Sequence, residues 1–387
     1  MHVVIAPDKF KGTLSAAQAA EAMAKGVRAA IPHASMTLRP MADGGEGTID
    51  ALLVAHGGRL TTQRVSGPLT GMVVDAPLGH LPDGTCVLEL SVAAGLKLIS
   101  PERRDALASS SLGLGELVAA ALEQGERKIV IGVGGSASTD GATGAARAVG
   151  WRFLDAGGAD LDLGGGSLRQ LARIDASGVH PALTATSFAA ACDVDNPLLG
   201  DRGAPRVFAP QKGASEEEVA LLEEGLSVLA ERIRVDLGLE VASEPGAGAG
   251  GGTGAGLMAF FGAELGRGFD VVAGAAGLGR EIEQADFVLT GEGRLDEQSL
   301  GGKTPVGVAH IAREIGVKCF AVAGEVPLDP GALKAEGISA AASLIEAVGA
   351  ERAFEDPVDA VAKATAALLR HQVTGEAPAK RRFGFKT

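Results

Sequence analysis

Between Thr290 and Ala312 the sequence reads TGEGRLDEQSLGGKTPVGVAHIA. This run gathers glycines, carboxylates and Lys303 between an apolar strand pattern at Phe287 to Leu289 and a helical pattern opening at Pro305. Thr304 suits the N-cap of that helix, and Pro305 lacks the N–H that would be orphaned in its first turn. The helix dipole then points its positive end back towards Lys303. A helix start with a lysine beside it attracts anions, so the chemistry expected is phosphate binding. Gly291, Gly293, Ser299, Gly302 and Thr304 would form the cradle, and Lys303 would neutralise charge. The segment is not a Walker A loop, because Gly302-Lys303-Thr304 would need a glycine at position 297, which is Glu297. The competing reading is a glycine-rich connection with a solvated lysine.

Four more segments share that composition at the ends of strand-like runs: APDKFKGT (6–13), MADGGEGT (41–48), GVGGSASTDG (132–141) and ACDVDNPLLG (191–200). Each alone is weak, since glycine and aspartate are common turn formers, but their recurrence is not. In the third, the N–H groups near Gly134, Gly135 and Ser136 would face a phosphate as a helix follows; a plain tight turn is the alternative. In the fourth, Asp193 and Asp195 lie two apart in a segment expected to be extended, so both carboxylates would project to one side. That spacing suits Mg2+, which takes one or two carboxylates beside substrate phosphates, whereas Asx turns ending a strand are the bland alternative. Gly246, Gly248 and Gly251 match the GxGxxG dinucleotide pattern, but Pro245 rather than a clean strand precedes them, which argues against a nicotinamide cofactor. None of the seven histidines lies in these loops, so carboxylates are the stronger general-base candidates.

The elements that must position these loops follow a βαβα grammar at both chain ends. Val3 to Ala6 reads as a buried strand, and Ser15 with Gln18 forms a capping box for a helix running to Ile31. A strand near Met36 to Leu38 and a helix from Thr48 to His56 follow; towards the C-terminus come strands at Phe287 to Leu289, Cys319 to Val322 and Ala340 to Leu344, and a helix from Val358 to Arg370. The middle differs, with antiparallel hairpins over 62–90, a helix near Leu112 to Glu123, strands at Lys128 to Val133 and Ser187 to Cys192, and a capping box at Ser215 and Glu218. The expected fold class is therefore α/β in two domains. A parallel-sheet, Rossmann-like three-layer domain is built from residues 1–62 and 284–371, an α/β domain of residues 63–283 is inserted, and 372–387 form a flexible tail bearing Lys380, Arg381 and Arg382. A tandem arrangement cut near residue 245 is the alternative. The inserted version would bring the loops of both ends to one interdomain cleft, where small-molecule sites concentrate.

Composition narrows the partners. A chain of 387 residues with 57 glycines and 46% hydrophobic residues fits a turn-rich α/β protein, and with 3% aromatics and no tyrosine its core must be Ala, Val, Leu and Ile. A net charge of −13 argues against nucleic acid, while a local basic pocket still permits a small anionic substrate. Cys86, Cys192 and Cys319 are scattered without metal-ligand spacing, which suggests reduced thiols. No stretch has signal-peptide or transmembrane character, so the expected address is the cytoplasm, with no membrane partner.

Six motifs in order, APDKFKGT, MADGGEGT, GVGGSASTDGATG, ACDVDNPLLG with FAPQKGAS (208–215), GAGAGGGTGAG and TGEGRLDEQSLGGKTPVGVA, together resemble the bacterial glycerate kinase type 1 family from about Val3 to Arg370. Where relatives commonly read DSFKGS, this chain has Asp8-Lys9-Phe10-Lys11-Gly12-Thr13, which leaves Asp8 and Lys11 as better candidates than position 9. The resemblance implies ATP-dependent phosphorylation of D-glycerate, commonly at the 2-hydroxyl, with Mg2+ and a two-domain α/β architecture. Residue chemistry then suggests roles: Lys303 neutralises phosphate charge, Asp193 and Asp195 hold Mg2+, and Asp193 or Asp296 receives the hydroxyl proton. Lys11 and Arg294 would pair with the glycerate carboxylate, with Asp8 and Asp43 also at the substrate. The rival classes are a phosphate-ester binding protein and a hydroxy-acid dehydrogenase.

Overall fold

A computed structural model describes residues 1–10, 12–301, 303–375 and 385–386. Its strands in chain order are β1 (His2–Ile5), β2 (Ser35–Leu38), β3 (Arg59–Ser66), β4 (Val73–His80), β5 (Thr85–Glu89), β6 (Lys128–Gly132), β7 (Arg152–Leu154), β8 (Arg173–Asp175), β9 (Ser187–Cys192), β10 (Glu264–Arg267), β11 (Phe287–Arg294), β12 (Lys318–Glu325), β13 (Ile338–Ser343) and β14 (Phe385–Lys386). The chain divides into two compact units. The first holds Met1–Asp43, Asp50–Gly57 and Val272–Thr387, and the second holds Gly44–Ile49 and Gly58–Val271.

In the first unit six strands are ordered β14-β13-β12-β11-β1-β2, parallel except for the antiparallel β13–β14 pair. Central strands of a parallel sheet are covered on both faces, which explains their continuous apolar runs. Val3, Ile5, Phe287, Leu289, Phe320 and Val322 share one core with the helices Ala16–Ala30 and Pro357–Gln372. Those two helices meet closely at Gly26, where a Cβ would lie 2.5 Å from the Ala362 carbonyl oxygen. The helix Thr304–Ile315 packs on β11 and β12, with Val308, Ala309 and Ala312 buried. Ser15 caps the first helix reciprocally with Gln18, as its spacing predicts. Beyond residue 371 the sequence reading expects a tail without structure, but Gln372 still belongs to a helix and Phe385–Lys386 pair with Ala342 and Ala341. Lys380, Arg381 and Arg382 lie outside the described residues.

The second unit has a mixed sheet, β10-β9-β6-β5-β4-β3, in which β10, β9, β6 and β5 are parallel and β5, β4 and β3 form the expected antiparallel hairpins. The helix Leu112–Glu123 has the predicted bounds, and Ser215 with Glu218 caps the helix Glu216–Arg232. Three features have no strong periodic signal in the sequence: the edge strand β10, the small β7–β8 pair and the glycine-rich helix Ala249–Phe261. That helix opens with Gly250, Gly251 and Gly252 at φ +62°, +75° and +85°, a left-handed run that only glycine adopts without strain. No helix among the described residues is long and apolar enough to cross a membrane.

Candidate active site

The β1 and β11 ends of the first unit hold a cluster of carboxyl groups. Asp8 leaves the sheet just after β1, its N–H donating to the Gly291 carbonyl at 2.8 Å. Its carboxylate is 8% exposed, accepts the Lys9 N–H at 2.6 Å on one oxygen and the Thr304 hydroxyl at 2.7 Å on the other. Burial raises the Asp8 carboxyl above its ordinary range and the nearby Asp43 adds to this, while Thr304 and Lys9 work in the opposite direction. Glu292, on β11, is pushed up to about 7, chiefly by burial and further by Asp8 and Asp296, against the stabilising effects of Ser299 and Lys303. The Ser299 hydroxyl donates to Glu292 and accepts the Asp296 N–H at 3.2 Å, so the side chain fixes the Glu292 carboxyl.

The helix Thr304–Ile315 begins one residue earlier than its proline suggests, and Lys303, rather than Thr304, is its N-cap. Thr304 is fully buried and, being the first helical residue rather than the N-cap, its hydroxyl donates to the Asp8 carboxylate, a charge-assisted hydrogen bond. No side chain caps this helix, so its first-turn N–H groups remain directed at the loop that bears the exposed Lys303. Around this start Arg294 lies 3.3 Å from Asp296 and 3.2 Å from Glu325, and Lys9 lies 3.2 Å from Asp43. Lys11 and Gly302 lie outside the described residues.

Several members of the expected cradle have other work. Gly291 is inside the sheet opposite Val322, and a Cβ there would sit 2.0 Å from the Val322 carbonyl oxygen, so the glycine is required by strand packing. Gly293 similarly approaches Gly324, whose Cβ would fall 2.4 Å from the Gly293 carbonyl oxygen. Ser299 is 1% exposed, and its hydroxyl serves Glu292 and the loop backbone, which removes it from the phosphate-binding set. Glu292 is the candidate residue that sequence reasoning missed; its place within the TGEGR strand end was a usable signal, but its burial was not visible there.

In the second unit the loop after β6 forms a nest. Gly135 has φ +76°, its carbonyl accepts the Leu96 N–H at 2.8 Å, and the Ala137 N–H donates to Ala94 at 2.8 Å. The Gly135 and Ser136 N–H groups have no hydrogen-bond partner among the described residues. Gly134 packs on Gly45, where a Cβ on Gly134 would lie 2.9 Å from the Gly45 Cα. The helix expected just after this loop is the short Thr143–Ala148, and its start is occupied: Asp140 accepts the Gly144 N–H at 3.2 Å, as well as the Ser111 N–H and hydroxyl at 2.8 Å each. The nest therefore depends on its own N–H groups, without that helix. The 246–251 glycines form turns and the left-handed helix entry, with Ala247 donating to Glu244 and Gly248 to Asn196, rather than a strand-turn-helix fingerprint.

The Asp193/Asp195 expectation requires correction. Strand β9 ends at Cys192 and Asp193 occupies a bend, so the two-residue alternation does not extend through the pair. Asp195 is exposed and bonded to Arg202 at 2.7 Å. Asp193 is exposed too, and among the described residues no group of three or more His, Cys, Asp or Glu is placed to hold a metal. The pair does not fit as a joint chelate. Mg2+ commonly takes only one or two protein carboxylates beside substrate phosphates, so the exposed Asp193 alone would suffice as a protein ligand.

The sequence model of the glycerate kinase family matches residues 3–372. The chain belongs to the glycerate kinase family. Within it, the chain is 44% identical to the glycerate 2-kinase of Escherichia coli K12, over 94% of this chain and 96% of that one. It is 43% identical to the glycerate kinase of Bacillus subtilis 168, over 92% and 93% of the respective chains. Among solved structures, a Salmonella typhimurium LT2 protein crystallised as a candidate glycerate kinase 2 superposes with a TM-score of 0.87 at 40% identity, covering 97% of this chain and 99% of that one. Within this glycerate kinase framework, the Asp8-Thr304-Glu292 cluster and the 134–136 nest are the candidate sites of the two units.

Proposed function

We propose that the protein is a cytoplasmic enzyme that transfers the γ-phosphoryl group of ATP to the 2-hydroxyl of D-glycerate with Mg2+. The observation that carries this reading is Glu292, a carboxyl held near neutrality beside an uncapped helix start and Lys303, in a chain similar to glycerate kinases over nearly its whole length. A general base works best when its pKa lies close to the working pH, and Glu292 meets that condition where an ordinary carboxylate would be a much weaker base. As the glycerate oxygen bonds to the γ-phosphorus and the bond to the β–γ bridging oxygen breaks, Glu292 takes the hydroxyl proton and ADP departs. The N–H groups of the helix Thr304–Ile315 and the Lys303 ammonium face the charge that develops on the transferring oxygens.

Arg294 carries five N–H donors and is more than half exposed, so it can hold the glycerate carboxylate while retaining its contacts to Asp296 and Glu325. Asp296 then orients Arg294, and Asp8, tied to Thr304, shapes the helix start. Lys9 and Asp43 form a second, half-buried pair at the same loops. Mg2+ supplies charge neutralisation on the phosphates when bound, with Asp193 as its protein ligand. In the second unit, the Gly135 and Ser136 N–H groups suit a phosphate of the nucleotide. Purified protein should release ADP from MgATP only when D-glycerate is present, and EDTA should abolish the reaction. ADP release that is independent of glycerate, or absent over a range of pH and Mg2+, would rule this function out.

A further inference from the structure

The motif FAPQKGAS contains the most deeply buried cation among the described residues, and the chemistry above does not use it. Lys212 is 2% exposed, at the end of the turn Pro210–Lys212, and its backbone is fixed on both sides: its N–H donates to Ala209 at 2.9 Å, and Gly213 follows at φ +98°. Its ammonium donates to the carbonyl oxygen of Ser138. Gly251 lies beside both groups: a Cβ on Gly251 would be 2.1 Å from the Ser138 oxygen and 2.7 Å from Lys212 Nζ. Gly251 is at φ +75°, and its own carbonyl accepts the Gly141 N–H at 3.2 Å. Lysine head, loop carbonyl and left-handed glycine turn thus meet at one point.

Ser138 transmits that point to the nest. Its N–H donates to the Ser136 hydroxyl at 3.0 Å, and the Ser136 hydroxyl also lies 3.1 Å from the Ser138 carbonyl oxygen. Two residues of the same loop, Thr139 and Asp140, are fully buried, and each has an oxygen, Thr139 Oγ1 and Asp140 Oδ1, with no hydrogen-bond partner. An ammonium has three donors, and Ser138 is the only acceptor given to Lys212 among the described residues. Burying a cation with so few partners is unfavourable: desolvation pushes Lys212 down to about 7, with Asp140 acting in the opposite sense. A fold needs no lysine here for packing, because an isosteric apolar side chain at such a site is commonly neutral or stabilising.

We infer that Lys212 is a positioning residue: it clamps the Ser138 carbonyl in place beside the Gly250–Gly252 turn, which sets the direction of the Gly135 and Ser136 N–H groups that receive an anion. This rests on the kinase reading and on the nest as a phosphate site. The anion is a nucleotide phosphate or the glycerate carboxylate, and separate titrations of the two substrates distinguish them.

Lys212→Met should retain its fold, with Tm within a few degrees of wild type. Its KM for ATP should rise roughly tenfold while the KM for glycerate stays within about twofold, the signature of a lost binding geometry rather than a lost chemical group. Amide hydrogen exchange should quicken in the peptide 132–141 and in few others, and Lys212→Arg should recover part of the ATP affinity. Independently of any variant, a nonhydrolysable ATP analogue with Mg2+ should slow exchange of that peptide in wild-type protein. Absence of this protection would reject the nest as a nucleotide site, and a KM rise confined to glycerate would do the same while upholding the clamp. Unchanged KM values and unchanged loop exchange in Lys212→Met would overturn the clamp, as would a Lys212→Met protein that does not fold.

Discussion

Replacing Glu292 by glutamine removes an ionisable group whose burial favours its neutral form. Its pKa is 4.5 in the unfolded reference and about 7 in the folded protein, so the native state holds a proton that the unfolded state has released throughout that interval. Stability attributable to this group is fully present below pH 4.5 and is lost as pH rises towards 7. At about 1.4 kcal/mol per unit, the loss is ~3 kcal/mol, reduced to roughly 2 kcal/mol because Glu292 is only partly buried and solvent screens its charge. The stability of Glu292→Gln relative to wild type should therefore grow by that amount between pH 4.5 and 7.5 and then level off. Urea unfolding followed by circular dichroism, with hydrogen exchange of β11, measures it. Fluorescence does not, since the single tryptophan, Trp151, lies in the second unit. Parallel pH profiles for the two proteins would refute the burial of an ionisable Glu292. In turnover, wild-type kcat should rise with pH through about 7, and the variant should lose that limb along with a factor of roughly 100 or more in rate.

Lys303→Ala should lower kcat by about two powers of ten with little change in Tm, because the side chain is exposed at a helix start and contributes charge rather than packing. Near-normal turnover would make it a solvated surface lysine. Asp193→Asn should raise the Mg2+ concentration for half-maximal activity, whereas Asp195→Asn should leave it unchanged, since Asp195 is bonded to Arg202; equal responses would contradict the division of roles. Thr304→Val removes the hydroxyl donor from the buried Asp8 carboxylate and should cost about 1–3 kcal/mol of stability, read from chemical unfolding.

The parts of the fold that obey one local rule were visible in the sequence. Ser15 with Gln18 and Ser215 with Glu218 form the capping boxes their spacing requires, and the apolar runs of β1, β6, β9 and β11 became buried strands. Features set by tertiary contact were not. Thr304 has the chemistry of an N-cap, yet Asp8, nearly three hundred residues away in sequence, takes its hydroxyl. Asp193 and Asp195 alternate only if the strand continues, and it ends at Cys192. Gly291 and Gly293 looked like a phosphate cradle because glycine permits close approach of any backbone, and here the approaching backbone is β12. Neither the shift of Glu292 nor the burial of Lys212 has a sequence signature, since both depend on what tertiary packing places around them.

Phosphorus NMR of the products formed from D-glycerate and MgATP tests the central claim most directly. The account predicts that the resonances of ATP give way to those of ADP and a single new phosphomonoester, with phosphorus coupled to the one proton on carbon 2, as in 2-phosphoglycerate. A phosphomonoester coupled to the two protons of carbon 3 would contradict the choice of hydroxyl, and inorganic phosphate as the only new product would contradict phosphoryl transfer to glycerate altogether.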